Sequence, residues 1–163
     1  MFPTELLNGL WHTTSLKRLK GILEHGSISP NPNIPDSERW CTGNGEKNYP
    51  YVRHINGVSL FDFIGFNPEE YRKKYPISSW STFVPKNRKF DDTVWIEINR
   101  EKIKKNFIGG AELLHKWRND EYLGHNIMPI IECAYLGELE INNFIKILLY
   151  ENSTNKFSTL QQA

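Results

Sequence analysis

Cysteine is nearly missing from this chain: its 163 residues contain two, Cys41 in a polar stretch and Cys133 inside an apolar run. Two cysteines so placed make no disulfide framework. With the five histidines they also give no CxxC, HExxH or comparable ligand spacing, so no metal is expected and a reducing, cytoplasmic setting fits. Long hydrophobic runs are missing too. No stretch approaches the roughly 18 apolar residues of a membrane span, and residues 1 to 10 have neither a basic start nor a long apolar run, so neither secretion nor a membrane partner is expected. Internal repeats, low-complexity tracts and Pro/Gly-rich domain linkers are absent, as are GxSxG, P-loop and Rossmann fingerprints; Gly43-Asn44-Gly45 is a turn signal.

What the chain does have is aromatic area. Five Trp, seven Tyr and nine Phe within a 39% hydrophobic composition supply the apolar surface that offsets ordering entropy, and the length suits one core. The net charge of +1 is uninformative as a total but uneven in distribution: residues 72 to 105 hold ten Lys/Arg against four acids. That stretch is either a solvated surface or an attraction for phosphates.

A first strand runs through Leu10, Trp11 and His12 to Thr13-Thr14. A helix is expected over residues 15 to 25, with Leu16, Leu19, Ile22 and Leu23 on one face, Thr14 or Ser15 as cap and Gly26 as stop. Residues 27 to 56 lack periodicity and read as one long loop bearing Arg39, Trp40, Tyr49, Tyr51 and Arg53. A loop of that length in a compact domain suggests a binding segment. Strands are expected over residues 58 to 63, 93 to 98, 129 to 136 and 144 to 150, the last after a turn at Gly137. Asn67-Pro68-Glu69-Glu70 starts a second helix that Pro76 closes, and residues 111 to 122 suggest a third. Strands at both ends and in the middle, with no βαβ rhythm, imply an α+β domain over residues 1 to 152 with a largely antiparallel, split sheet and short flanking helices. Residues 153 to 163 read as a C-terminal tail.

Two features invite chemistry. One is the strand ending in His12-Thr13-Thr14 before a helix. The other is Glu132, centred in the apolar run Pro129-Ile130-Ile131-Glu132-Cys133-Ala134-Tyr135-Leu136. A carboxylate flanked by apolar residues needs a partner, an opening or a raised pKa. The plain alternatives are a solvent-facing strand-edge acid for Glu132, a satisfied core histidine for His12, surface arginines, and a core aromatic for Phe61.

The opening Trp11-His12-Thr13-Thr14 with its helix and glycine, the long arginine-bearing loop, the strand Val58-Ser59-Leu60-Phe61-Asp62-Phe63, the strand Val94 to Ile98 and the glutamate strand together resemble the DarT-like ADP-ribosyltransferases. The resemblance spans about residues 10 to 150. It implies an ADP-ribosyltransferase-like split sheet and NAD as a consumed substrate. It further implies transfer of ADP-ribose to a nucleobase in single-stranded DNA or RNA, with protein as the other acceptor class, by a toxin or phage-defence effector with a neutralising antitoxin. Glu132 would act at the ribose and the acceptor, and Arg53, or Arg39, would meet the diphosphate. His12 would hold the adenosine-side ribose, Thr13 and Thr14 would orient the nicotinamide end, and Ser59 and Phe61 would line the second strand's side of the site. The same fold could instead hydrolyse NAD or remove an RNA 2′-phosphate, and a non-catalytic nucleic-acid or protein binding module is the reading from another class.

Overall fold

Strict alternation along three central strands sets the architecture. In β1 (Leu10–Ser15), β3 (Gly57–Asp62) and β4 (Asp92–Ile98), neighbouring residues point to opposite faces, and both faces are buried. Leu10, Val58, Leu60, Val94 and Ile96 form an aliphatic layer that Leu19 of helix α1 (Leu16–His25) covers. Trp11, Phe61, Phe63 and Trp95 form an aromatic layer on the other face, joined by Leu6, Tyr71 and Trp80. The Trp11 and Trp95 rings meet edge to face at 6.4 Å, and their indole N–H groups donate to the Leu6 and Pro85 carbonyls at 2.9 and 2.8 Å. The computed structural model describes residues 1–39, 45–87, 92–122 and 126–162. Trp40, Cys41, Gly43 and Asn44, named above, lie outside the described residues, as do Arg88 and Lys89 of the basic stretch and His125 among the five histidines.

Among the described residues, one antiparallel sheet carries seven strands in the order β5-β6-β3-β1-β4-β8-β9. Its remaining members are β5 (Phe107–Ile108), β6 (Glu132–Leu136), β8 (Phe144–Glu151) and β9 (Lys156–Gln162). A two-stranded ribbon pairs β2 (Ser27–Ile28) with β7 (Leu139–Glu140). The α+β class and the antiparallel sheet agree with the sequence. The three expected helices form as α1, α3 (Pro68–Lys74) and α4 (Gly110–Asn119), with Ser15 and Asn67 as side-chain caps and Gly26 in the left-handed conformation at φ 89°. No helix among the described residues is long and apolar enough to cross a membrane.

Three expectations need correction. The stretch after Glu151 is not a tail: β9 pairs with β8 from Glu151↔Lys156 to Lys146↔Gln162, and Phe157 packs on Tyr150 at 4.9 Å. The expected loop of residues 27 to 56 contains β2 and a helical turn, α2 (Tyr51–His54). Finally, Glu132 is not centred in a strand over residues 129 to 136. It opens β6, because a tight turn precedes it.

Near the middle of the sheet, the pairing of β1 with β3 is short. Those strands are registered at Leu10↔Asp62 and Trp11↔Phe61, whereas β1 and β4 stay paired from Trp11↔Glu97 to Ser15↔Thr93. Beyond Trp11 the two strands part, and the site lies in the opening.

Candidate active site

Where β1 leaves β3, the carbonyl of Ser59 loses its strand partner and the His12 imidazole takes it up: Nδ1 lies 2.9 Å from Ser59 O. A carbonyl can only accept, so Nδ1 carries the proton and Nε2 is left as an acceptor in the neutral ring. Burial holds the His12 pKa below its usual value, against the smaller upward pull of the Ser59 bond. A satisfied histidine in the strand gap therefore still offers one lone pair to a ligand hydroxyl or amide.

Glu132 sits one strand further out, registered with Phe61. It is 8% exposed, and its Oε2 accepts the Met128 N–H at 3.0 Å while its own N–H donates to Met128 O, also at 3.0 Å. This reciprocal pair closes a turn in which Ile131 N–H reaches back to Pro129 O at 2.7 Å, with Ile130 between them at φ 66°. A β-branched residue in the left-handed region is strained, and the i to i+2 bond marks the rare γ-turn of that hand. The glycine at the start of α4 allows it: a Cβ on Gly110 would lie 1.8 Å from the Ile130 carbonyl oxygen. Burial pushes the Glu132 carboxyl up to about 7, outweighing the Met128 bond that pulls it down.

The arginines of the long loop differ in their engagement. Arg53 Nη1 donates to Asp36 Oδ1 at 3.0 Å, and its guanidinium lies 3.4 Å over the Tyr49 ring. The Arg53 bond is the main reason the Asp36 carboxyl is held below the ordinary range. Arg39 Nη2 donates to Pro32 O at 2.8 Å and to Asn31 Oδ1 at 3.3 Å, but its Nε is buried with no hydrogen-bond partner among the described residues. Burial first, and then the Arg53 charge, lower the Arg39 pKa. A buried donor without a partner is costly unless something outside the chain accepts from it.

One cavity of about 660 Å³ collects these groups. Its walls include His12, Thr13, Thr14, Ser59, Phe61, Arg39, Arg53 and Glu132, all eight residues singled out in the sequence. Strand register puts Glu132, Phe61 and Trp11 on the aromatic face and His12, beside Ile96, on the aliphatic one, so the opening between β1 and β3 joins the two. Thr13 Oγ1 is turned to the Val94 carbonyl at 3.1 Å, which leaves its backbone facing the gap as the more available part. Phe61 is 7% exposed and belongs to the aromatic core while its edge reaches the cavity, so the plain reading and the functional one both describe it.

Sequence reasoning missed several wall residues. Ser79 and Phe83 come from the segment after α3, Met128 holds Glu132, and Ser27 and Glu138 come from the β2-β7 side. None stands in a motif, and only the fold brings them to the cavity. The basic stretch is partly committed elsewhere: Arg100 makes a two-pronged pair with Asp62 at 2.6 and 2.7 Å, and Lys104 pairs with Glu101. Among the described residues no group of three or more His, Cys, Asp or Glu side chains is arranged to hold a metal ion. Comparison with protein-family models, with curated proteins and with solved structures gives no match for this chain.

Proposed function

We propose that this chain is an NAD-consuming ADP-ribosyltransferase acting on a macromolecule, with a nucleobase in single-stranded DNA or RNA as the favoured acceptor. One observation carries the reading: a buried carboxyl with a pKa near 7 shares a single cavity with a neutral histidine acceptor and an arginine that has a spare buried donor. The parting of β1 from β3 supports the split sheet that the family resemblance implies. A cavity of about 660 Å³ is in the size range of small-molecule and cofactor sites.

Each group has a task in that reaction. Arg39, through Nε, binds the diphosphate, and Arg53 fixes Asp36 and the loop that carries Arg39. His12 Nε2 accepts from a ribose hydroxyl, and backbone groups at Thr13 orient the nicotinamide amide. Thr14, buried just after the gap, and Ser59, on the opposite strand, shape the floor, while Phe61 presents an aromatic edge to the nicotinamide ring. Glu132 holds the reacting ribose and stabilises positive charge as the C1–nitrogen bond breaks. Nicotinamide leaves with the bonding pair, the acceptor atom forms a new bond to C1, and Glu132 receives the acceptor's proton.

Exposed Arg72, Lys73 and Lys74 at the end of α3 favour a polyanionic acceptor, since the chain runs from them to Ser79 and Phe83 in the cavity wall. The resemblance adds a cytoplasmic toxin or phage-defence role restrained by an antitoxin. The test is incubation with NAD labelled in the adenylate part and separate pools of RNA, single-stranded DNA and protein. Label is expected in a nucleic-acid pool, and none with Glu132→Gln. Nicotinamide release without label transfer would make the chain an NAD hydrolase. Salt-sensitive nucleic-acid binding with no nicotinamide release would make it a binding module.

A further inference from the structure

The cavity has a second end that the transfer chemistry does not use. One arm of it is walled by α1 and the segment that follows β2, where Ile22, Ile28 and Pro30 are apolar. Gly21 faces this arm from the middle of α1, and a Cβ placed there would meet nothing within 4 Å. An interior helical glycine costs about 1 kcal/mol relative to alanine, and packing does not require this one. Its absence of a side chain leaves flat room against the helix.

Glu138 closes the arm. It accepts from the Ser27 hydroxyl, and His25 Nε2 lies 3.5 Å from its Oε2. The Ser27 bond is the largest cause holding its carboxyl below the usual range, and Ser29 adds a further side-chain bond. Glu138 is therefore an ionised, acceptor-only group, and a carboxylate has about four acceptor sites for these three donors. The strand β6 separates the two acids: from Glu132 to Leu136 it spans about 13 Å at strand rise, and Glu138 follows two residues later.

We infer that this arm is a purine slot and that Glu138 selects adenine by accepting a hydrogen bond from its exocyclic 6-amino group, as carboxylates accept from the amino group of cytosine. The inference rests on the NAD reading above and specifies which base the dinucleotide must carry. Hypoxanthine has a carbonyl at the same position, and that oxygen would face the carboxylate as a second acceptor. A site built around one donor rejects the analogue that lacks it.

The experiment compares NAD with nicotinamide hypoxanthine dinucleotide, using calorimetry for binding and nicotinamide release for turnover, in the wild type and in Glu138→Gln. The wild type is expected to favour NAD about tenfold in both Kd and kcat/KM, as one charge-assisted hydrogen bond at a half-exposed site warrants. Glutamine can present either its oxygen or its amide, so Glu138→Gln is expected to bring the ratio to about one while the melting temperature reports its fold. The wild-type ratio needs no variant. Equal binding of the two dinucleotides by the wild type, with nicotinamide released from both, overturns the slot and leaves the transferase reading intact. Tighter binding of NAD without turnover keeps the slot and overturns the transferase reading. Binding of neither overturns both.

Discussion

Glu132 carries two opposed demands, and both can be measured. In the proposed transfer it must be ionised to accept the acceptor's proton, yet it is buried and pushed up to about 7. Activity should therefore rise with pH along a limb centred near 7 instead of the ordinary carboxylate range, read from kcat/KM for nicotinamide release. The folded chain also keeps a proton that the unfolded chain gives up above the ordinary carboxylate range. Stability from this group is thus fully present at low pH and is lost as pH rises through about 7, by on the order of 3 kcal/mol. Glu132→Gln removes that loss. It should melt like the wild type near about pH 4 and be more stable by roughly this amount near about pH 8, with turnover down by about 10² to 10⁴. A variant no more stable than the wild type near about pH 8 would show that the acid is solvated. The two loop arginines should separate in the same assays. Arg39→Ala is expected to raise KM for NAD about tenfold or more with little change in the melt, since losing its bonds to Pro32 and Asn31 is offset by removing a buried unpaired donor. Arg53→Ala removes the Asp36 pair and the Tyr49 stack together, so it should lower the melt as well.

Among the elements, the turn before β6 does the most to place the acid, and it depends on a residue without a side chain. Gly110→Ala drives a methyl against the Ile130 carbonyl, which the γ-turn at φ 66° leaves little freedom to move. The expected loss is about 1–3 kcal/mol in urea unfolding, together with a fall in kcat as Glu132 shifts. If kcat held while stability fell, the turn would be a packing device alone. The same turn marks the limit of what the sequence discloses. Period-two alternation in β1, β3 and β4 and the capped starts of α1 and α3 are local patterns, and they were legible. The eight candidate residues, which line one cavity, could be picked out without a fold, because strand ends, an acid among apolar neighbours and a loop bearing two arginines are visible in the sequence. The strain at Ile130 was not, because an apolar run of that kind reads as strand until Gly110 of another element is known to press on it. Nor was Glu138, whose only local mark is the Gly137 turn, or the difference between Arg39 and Arg53, which rests on Asp36 and Tyr49.

At the scale of the whole molecule, the sheet order separates support from site. The cavity opens between β1 and β3, whereas β9 lies at the far edge, beyond β4 and β8. Polar composition made residues 153 to 163 look like a tail, but an edge strand with one solvated face is polar by nature. Truncation after Asn155 discriminates between the two. It would remove six paired positions, from Glu151↔Lys156 to Lys146↔Gln162, and the Phe157 ring on Tyr150. At about 0.5 kcal/mol per cross-strand pair the loss is about 3 kcal/mol, and the bared edge of β8, with Leu148 and Leu149, becomes a template for another chain. The truncated protein is therefore expected to unfold at lower urea and to associate with rising concentration in light scattering. Its KM for NAD, measured well below its melt, should match that of the full chain, since neither β8 nor β9 touches the cavity. An unchanged melt would make the last strand dispensable. A raised KM with an unchanged melt would instead mean that the far edge of the sheet reaches the site through β4.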